Sequence, residues 1–327
     1  MISDDAIWQQ KILDINDDAA FNEVAIALFK VQAKHCKPYG DFIKLLNIDC
    51  IKIKYYDQIP FLPITFFKSH QVITKQFNPQ AIFTSSGTTG DKTSQHHIKN
   101  LNWYEIVSAN FFSQHYEKPN LKILGLLPSY LERSGSSLIY MVRKLMRLYN
   151  GDELDFYLYD TEALYLKLKN LAALGQPTVL FGVTFALTDF SKRYEIDFPQ
   201  LTVIETGGMK GRGYEPIRAT IHDELKKCFF NAQIHSEYGM TELLSQAYAL
   251  DGHHFITPQW MKLLLRDTND PLTLHPIQGG INVIDLANFA TCAFIATQDL
   301  GRKHPNGIEV LGRFDHADVR GCSMLIQ

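Results

Sequence analysis

The chain has 327 residues, of which 46% are hydrophobic and 20% are charged. This composition is typical of a folded domain with ample material for a core, and the length fits one large α/β unit or two subdomains. The formal net charge is −3 and no block of Lys and Arg occurs, so nucleic acid and anionic membranes are disfavoured as main partners.

The N-terminus and the cysteines favour a cytoplasmic protein. The first five residues are acidic and polar, unlike a signal peptide, and no apolar run approaches bilayer length, so we expect no membrane insertion. The cysteines are odd in number and scattered, and they form neither a metal-ligand spacing nor a disulfide framework. They are Cys36, Cys50, Cys228, Cys292 and Cys322.

The chain begins with a helical pattern followed by an extended one. Apolar residues recur at helical spacing from residue 18 to about 34, which predicts a helix. Residues 59–67 are also apolar, but Pro60 and Pro63 exclude a long helix there, so we expect an extended segment. Residues 81–83 predict the end of a strand that leads into a polar loop.

Strand and helix patterns alternate after this loop. Strand patterns cover residues 121–127, 154–159, 178–182 and 201–205. Helical patterns cover residues 136–148, 161–174, 185–194 and 214–228. The alternation predicts an α/β fold with a largely parallel sheet.

The C-terminal part is predicted to be rich in β-strands. Strand patterns cover residues 261–265, 281–286, 292–297 and 308–310. We therefore expect an α/β nucleotide-binding region with an N-terminal helical segment over residues 1–254. A smaller β-rich subdomain that ends in a flexible tail is expected over residues 255–327.

The stretch 84–92 has the chemistry of an anion-binding loop. It combines hydroxyl groups, glycines and a lysine, and glycine lets backbone N–H groups approach a phosphate without a Cβ in the way. The alternative is one of the common Ser/Thr/Gly-rich surface turns. The residues are Thr84, Ser85, Ser86, Gly87, Thr88, Thr89, Gly90, Asp91 and Lys92.

A pair of glycines follows the strand pattern at 201–205. Gly207 and Gly208 leave room for a flat ring to lie on the backbone. A plain strand-to-helix turn is the alternative for this pair, and taken alone the stretch 205–208 favours that interpretation.

The stretch 236–242 places an aromatic ring, a glycine, a hydroxyl and a carboxylate close together. Tyr238 next to Gly239 can pack against a base, and Thr241 can donate a hydrogen bond to a phosphate. Glu242 can hold Mg²⁺, which favours one or two carboxylates together with phosphate oxygens. The alternative is a helix N-terminus with Thr241 and Glu242 in its first turn.

Two residues near the C-terminus suit a ribose. Asp299 lies at the end of a predicted strand, where a carboxylate can accept hydrogen bonds from both ribose hydroxyls. Arg313, after a glycine, can then bind ribose or phosphate. A turn aspartate and a solvated surface arginine are the alternatives.

Four features, in their order along the chain, resemble the signatures of the adenylate-forming superfamily: the loop at 84–92, the stretch 238–242, Asp299 and the Gly-Arg pair that ends at Arg313. The match at 238–242 is complete, whereas the loop carries Asp91 where many members have proline. The resemblance implies an α/β fold like the N-terminal domain of those enzymes, with parallel-rich sheets, helices and a smaller β-rich subdomain. It also implies ATP and Mg²⁺ as cofactors, bound by the segments described above.

A closer resemblance, from about residue 60 onwards, is to the LuxE-type acyl-protein synthetases, which activate fatty acids. It rests on the stretches 258–261, 280–287, 297–301 and 318–323. The resemblance implies that a cysteine near the C-terminus accepts the acyl group as a thioester, and Cys322 is the candidate. The adjacent cation of Arg320 favours a thiolate, although a free thiol near a chain end needs no function.

The chain departs from the superfamily beyond Arg313. Members continue into a mobile C-terminal domain that supplies a lysine for adenylation, and here that domain is expected to be absent. Lys92 is then a candidate to assist. His96 and His97 are candidates to face the substrate or the acyl group, although such a pair is more often the solvated start of a helix.

The leading hypothesis is an ATP-dependent acyl-protein synthetase that transfers a carboxylic acid, most simply a fatty acid, to a protein thiol. The expected partners are an acyl reductase, an acyltransferase or a carrier protein. A second hypothesis is delivery to coenzyme A or a carrier protein with Cys322 inert. A third is a non-catalytic nucleotide- or acyl-binding module of a complex.

Overall fold

The protein is described from a computed structural model that covers residues 4–85, 92–128, 135–207 and 218–314. The helices in these ranges are α1 (Asp4–Leu13), α2 (Asp18–His35), α3 (Lys37–Leu45), α4 (Phe66–Ser69), α5 (Leu101–Tyr116), α6 (Ser137–Tyr149), α7 (Thr161–Ala173), α8 (Thr184–Ser191) and α9 (Arg218–Cys228). The strands are β1 (Leu62–Pro63), β2 (Ala81–Thr84), β3 (Gln95–Ile98), β4 (Lys122–Leu126), β5 (Phe156–Tyr157), β6 (Thr178–Val183), β7 (Ile196–Asp197), β8 (Leu201–Thr206), β9 (Phe229–Phe230), β10 (Gln233–Tyr238), β11 (Ala247–Ala249), β12 (His254–Phe255), β13 (Met261–Arg266), β14 (Gln278–Asp285), β15 (Phe294–His304) and β16 (Gly307–Arg313).

The predicted α/β class is confirmed. Each helix and strand pattern between residues 121 and 206 corresponds to an observed element of the same type, and the early helical pattern corresponds to α2. The helix predicted over 214–228 is observed as α9, which the structure describes from Arg218 onwards. The proline-rich stretch 59–67 contains only the short β1 and the start of α4, as the two prolines predict.

The chain divides into two compact units. One comprises the described parts of 1–76 and 259–327, and the other the described parts of 77–258. The sequence pattern predicts one region over residues 1–254, whereas the helices before residue 77 belong to the same unit as residues 259–327. The contacts of Gln32 give the physical reason: its amide donates to the carbonyl of Asn288 and accepts from the N–H of Ala293.

A parallel sheet forms the centre of the 77–258 unit. Its strand order is β11-β10-β8-β6-β4-β5, with β11 antiparallel to β10 and the other neighbours parallel. Every residue of β6 and β8 is buried, as expected for central strands of a parallel sheet that is covered on both faces. Helix α6 packs on β4, α8 on β6 and β8, and α9 on β10.

A separate antiparallel pair, β2 and β3, carries the predicted anion-binding loop. Phe83 lies opposite His96, and Thr84 lies opposite Gln95. The side chain of Asn100 accepts a hydrogen bond from the N–H of Trp103 and caps α5, which follows directly.

The other unit contains the predicted β-rich subdomain. Strands β13, β14, β15 and β16 form an antiparallel sheet, and β1 pairs in parallel with β15. Irregular register occurs between Gly280 and Asn282, where the Arg266 guanidinium carbon lies 2.5 Å from the position of a Cβ on Gly280. Arg266 donates to the carbonyls of Ile281 at 2.7 Å and Thr297 at 2.6 Å. Glycine therefore makes room for an arginine that ties three strands together.

Within the described ranges, no helix is both long and apolar enough to cross a membrane.

Candidate functional site

The candidate residues of the 77–258 unit gather at the carboxyl ends of its parallel strands. Thr184 follows β6, Thr206 ends β8 and Tyr238 ends β10. The strands are in register, so that Val183 lies beside Thr206, and Thr206 beside Glu237. This edge of an open parallel sheet is where ligands bind in α/β proteins.

A buried network surrounds Glu205 on this edge. Thr184 Oγ1 donates to one carboxylate oxygen, and Ser236 Oγ donates to the other at 3.0 Å. Arg218 Nε lies 3.7 Å from the same carboxylate, and His222 Nε2 lies 2.9 Å from Ser236 Oγ. No pattern in the sequence indicates this network, because only the contact between β8, β10 and α9 brings these residues together.

Glu237 is a second buried carboxylate on the same edge. Thr206 Oγ1 donates to its Oε2, and burial raises the pKa of Glu237 to about 7. Its Oε1 lies against the position that a Cβ on Gly239 would occupy. Any side chain at position 239 would collide with this oxygen, so the glycine of the predicted motif has a steric reason.

The predicted motif at 238–242 leaves β10 as a turn. Residues 239–246 contain no helix, so the alternative of a helix N-terminus at Thr241 and Glu242 is wrong. The Tyr238 ring packs 5.7 Å from that of Phe255, and the Glu242 side chain is only 5% exposed.

His96 connects this turn to the ribbon that carries the predicted loop. Its Nδ1 lies 2.8 Å from the carbonyl oxygen of Thr241, and burial lowers the pKa of His96 to about 4. The ring is therefore neutral at physiological pH, and Nδ1–H donates to the carbonyl. The alternative of a solvated helix start for His96 and His97 is wrong, because both are buried in β3.

The structure describes the residues on both sides of the predicted anion-binding loop. Ser85 N–H donates to the carbonyl of Ser94 at 3.1 Å, and Ser94 N–H donates to Ser85 Oγ at 2.9 Å. Thr84 N–H donates to the carbonyl of Gly135 at 2.8 Å, and Lys92 is exposed. The remaining predicted loop residues lie outside the described ranges: Ser86, Gly87, Thr88, Thr89, Gly90 and Asp91.

Of the predicted glycine pair and the C-terminal cysteine, the structure describes only Gly207. Gly207 has φ of 73°, which favours glycine, and its carbonyl lies 3.2 Å from Thr184 Oγ1. Gly208 and Cys322 lie outside the described ranges. Their predicted roles remain predictions.

Asp299 and Arg313 belong to the other unit, where they lie opposite each other on β15 and β16. Arg313 Nε is 3.8 Å from Asp299 Oδ1, and the arginine side chain is 83% exposed. Asp299 is 15% exposed, and its N–H donates to Thr297 Oγ1 at 3.2 Å. The predicted role of the pair at a ribose stays a prediction.

Three of the four cysteines in the described ranges are buried packing residues, and the fourth is half-buried. Burial raises the pKa of Cys36 to about 11 and that of Cys228 to about 12, and it raises the pKa of Cys292 well above the usual range. Cys50 is half-buried. Low-pKa thiolates are the reactive form, so the three buried thiols are poor nucleophiles.

Comparison with known proteins shows the fold. No protein-family profile matches the chain, and no curated protein matches it in sequence. The structure is similar to that of 2-hydroxyisobutyryl-CoA ligase in the postadenylation state with R3-HIB-AMP, at a TM-score of 0.67 and 11% identity. The match covers 91% of this chain and 68% of the ligase.

An open conformation of the same ligase, with 2-HIB-AMP and CoA, also gives a TM-score of 0.67 at 11% identity, and covers 91% of this chain and 75% of the ligase. A fatty acyl-adenylate ligase from L. pneumophila, with acyl adenylate and pyrophosphate, gives 0.53 at 14% identity. That match covers 76% of this chain and 53% of the Legionella protein. The fold is thus that of the N-terminal domain of adenylate-forming enzymes, a parallel-rich sheet with helices plus an antiparallel β subdomain.

Proposed function

We propose that this protein activates a carboxylic acid as an acyl-adenylate and transfers the acyl group to a protein thiol. One observation carries the proposal. In a fold similar to that of adenylate-forming enzymes, the hydrogen bond from His96 to Thr241 holds the loop-bearing ribbon against the turn that contains Glu242. The ribbon that carries one predicted phosphate-binding segment is therefore joined to the turn that contains the other, at the carboxyl edge of the sheet.

The described residues fit Mg²⁺ bound together with a nucleotide. Within the ranges that the structure describes, no group of three or more His, Cys, Asp and Glu side chains can hold a metal ion. Mg²⁺ needs fewer protein ligands, since one or two carboxylates and phosphate oxygens suffice. Glu242 would be that carboxylate, and the bound ion would offset charge on the phosphate oxygens.

Other residues of this chain would bind and orient ATP. The loop from Thr84 to Gly90 would donate N–H and hydroxyl groups to the phosphates, and Lys92 would add positive charge. Tyr238 and the backbone at Gly207 would contact the base, and Asp299 with Arg313 would bind the ribose. His96 would fix the position of Thr241 without itself carrying charge.

The second half of the proposed reaction needs a thiol. The carboxylate of the acid attacks the α-phosphate, pyrophosphate leaves, and a thiolate then displaces AMP from the acyl group. We assign this step to Cys322, by the resemblance to LuxE-type enzymes, with a fatty acid as the first candidate substrate. An acyl reductase, an acyltransferase or a carrier protein would then receive the acyl group.

Delivery to coenzyme A or a carrier protein is the second candidate. The fold similarity to a CoA ligase favours it, because that likeness covers 91% of this chain. A non-catalytic module that binds nucleotide or acyl groups is the third hypothesis.

Pyrophosphate exchange across a panel of carboxylic acids tests the first half-reaction. Exchange with at least one acid is expected, and the absence of exchange and of any acyl product would leave only the non-catalytic module.

Mass spectrometry after incubation with ATP and the activated acid tests the second half-reaction. We expect a hydroxylamine-sensitive acyl adduct on the wild type that Cys322→Ser loses while it keeps exchange activity, because serine is a weaker nucleophile. Cys50→Ser, which changes a half-buried thiol, is the matched control and should keep the adduct. An equal adduct in Cys322→Ser, or none in the wild type, would shift the assignment to an external acceptor.

A further inference from the structure

One oxygen of the buried Glu237 carboxylate has no hydrogen bond within the described part of the chain. Among the described residues, only Thr206 donates to this side chain, at Oε2, although the residue is only 8% exposed. The other oxygen, Oε1, lies beside Gly239, which is exposed. Oε1 therefore borders the accessible backbone of the turn at 239–242.

A second unpartnered acceptor lies at the same place. Gln246 is 5% exposed, and its Nε2 donates to the carbonyl of Leu244 at 3.3 Å, which fixes the orientation of the amide. Its Oε1 is buried and has no hydrogen-bond partner among the described residues. Gln246 Cγ lies 3.5 Å from the position of a Cβ on Gly239, so Glu237 and Gln246 both border this glycine.

Tyr248 adds a third polar group. It lies directly opposite Glu237 in the pairing of β10 with β11, so both side chains are on one face of the sheet. The residue is fully buried, and its hydroxyl has no hydrogen-bond partner in the ranges that the structure describes. Buried polar groups normally have partners, so the acceptors of Glu237 and Gln246 beside Gly239 point to a ligand that supplies hydrogen-bond donors.

The charges around Glu237 indicate which ligand this is. The carboxylate of Glu205 acts on Glu237 with like charge, and no described cation opposes it. A carboxylate and an amide oxygen are both acceptors, so the matching group is a donor, and a cation matches the carboxylate best. A protonated amine has three N–H donors and one positive charge.

We propose that the activated acid carries a protonated amino group that binds Glu237 and Gln246, so that the substrate is an amino-substituted aliphatic acid and not an unsubstituted fatty acid. This inference rests on the proposed function. It makes Glu237 a residue that determines specificity, next to the turn that would hold the phosphates.

The test is pyrophosphate exchange by the full chain with matched sets of acids. Each set contains an alkanoic acid, its hydroxyl analogues and its α-, β- and ω-amino analogues. We expect one amino acid to exceed its unsubstituted counterpart in kcat/KM by about 100-fold or more, since a site with buried polar groups rejects ligands that leave them unpaired. A wild type that prefers the unsubstituted acids would overturn the inference.

Substitution of Glu237 isolates the responsible group. Glu237→Gln should remove most of the preference for the amine by raising KM for the amino acid, while exchange with the unsubstituted acid is kept or increased. Glu237→Asp keeps the charge and should keep part of the preference. This variant keeps the proposal testable if the amide variant fails to fold. Glu224→Gln, an exposed change on α9, is the matched control and should keep the full preference. Equal losses for all acids in Glu237→Gln would contradict the proposed role.

Calorimetry separates this inference from the proposed function. If no acid supports exchange, the proposed function fails, but binding of amino acids and alkanoic acids to the full chain without ATP still measures the preference. Tighter binding of an amino acid that Glu237→Gln abolishes supports the inference. Absent or equal binding overturns it.

Discussion

Charged residues are buried and hydrogen-bonded at the carboxyl edge of the parallel sheet, whereas on the β15–β16 hairpin the arginine is exposed and only loosely paired. At the sheet edge, Glu205 and Glu237 are buried, and neighbouring hydroxyls donate to both carboxylates. On the hairpin, Arg313 is 83% exposed and approaches Asp299 only to 3.8 Å. Both regions carry residues that the sequence predicts to bind a nucleotide.

This difference in burial distinguishes residues that stabilise the fold from residues that are proposed to bind a ligand. A buried charge loses its hydration, so it requires partners inside the protein, and removal of one partner is costly. An exposed pair is hydrated and screened, and it contributes little to stability. Substitutions should therefore affect stability at the sheet edge and ligand binding at the hairpin.

Glu205→Ala should have the largest effect on stability. It leaves Arg218, Thr184 and Ser236 without their common acceptor, and loss of one member of a buried charged pair costs about 3–5 kcal/mol. Urea denaturation measures the free energy of unfolding. Glu224→Ala on the exposed face of α9 is the control and should change it by less than about 0.5 kcal/mol. A loss at Glu205 as small as that of the control would remove the network from the stabilising interactions.

Glu237 should make the stability depend on pH. Burial raises its pKa from 4.5 to about 7, so the folded state binds a proton that the unfolded state releases between these values. The contribution of Glu237 to stability therefore falls as pH rises from about 4.5 to about 7, by on the order of 3 kcal/mol, and stays level above that range.

Glu237→Gln lacks this titration, so the comparison with the wild type isolates it. Burial lowers the pKa of His96, His222 and His235 to about 4, which makes stability rise with pH over a similar range, but in both proteins alike. The difference between the two proteins should grow with pH up to about 7. Parallel stability curves would show that the carboxyl is not perturbed in the folded state.

Glu242→Gln should keep the fold and lower pyrophosphate exchange about 100-fold, or about 2.7 kcal/mol in the barrier. The amide keeps the shape of the side chain and removes the charge proposed to hold Mg²⁺. Denaturation curves of the variant and the wild type should agree within about 1 kcal/mol. Exchange at the wild-type rate would exclude Glu242 as the metal ligand.

Asp299→Ala should weaken AMP binding by about 1–3 kcal/mol, because the ribose hydroxyls lose their acceptor. Calorimetric titration with AMP measures this loss. Retention of full affinity would place the ribose elsewhere.

Arg313→Ala should have the smallest effect on stability, within about 0.5 kcal/mol, because an exposed ion pair contributes little. Arg218→Ala is the matched substitution at the sheet edge. Arg218 is 22% exposed, contacts Glu205 and lies 4.8 Å from the centre of the Phe255 ring, so its loss should exceed that of Arg313. Equal effects of the two substitutions would contradict the contrast between the regions.

The sequence by itself determined the order of strands and helices and the approximate place of the candidate site. Central strands such as β6 are buried on both faces, so they appear as largely apolar runs, and the alternation with helices indicates a parallel sheet. The motif at 238–242 was readable because its residue types are adjacent in the chain, and the structure places it at the end of β10.

The tertiary structure decided what distant residues do to one another. The first 76 residues join the C-terminal unit through contacts such as that of Gln32 with Asn288, and no local pattern records a partner 256 residues away. His96 lies buried in a strand, where burial keeps its ring neutral and Nδ1–H donates a hydrogen bond to a carbonyl 145 residues away. Glu237 has a raised pKa because β8, β10 and β11 enclose it. Periodicity follows from neighbours in sequence, whereas the burial and charge of a polar group follow from neighbours in space.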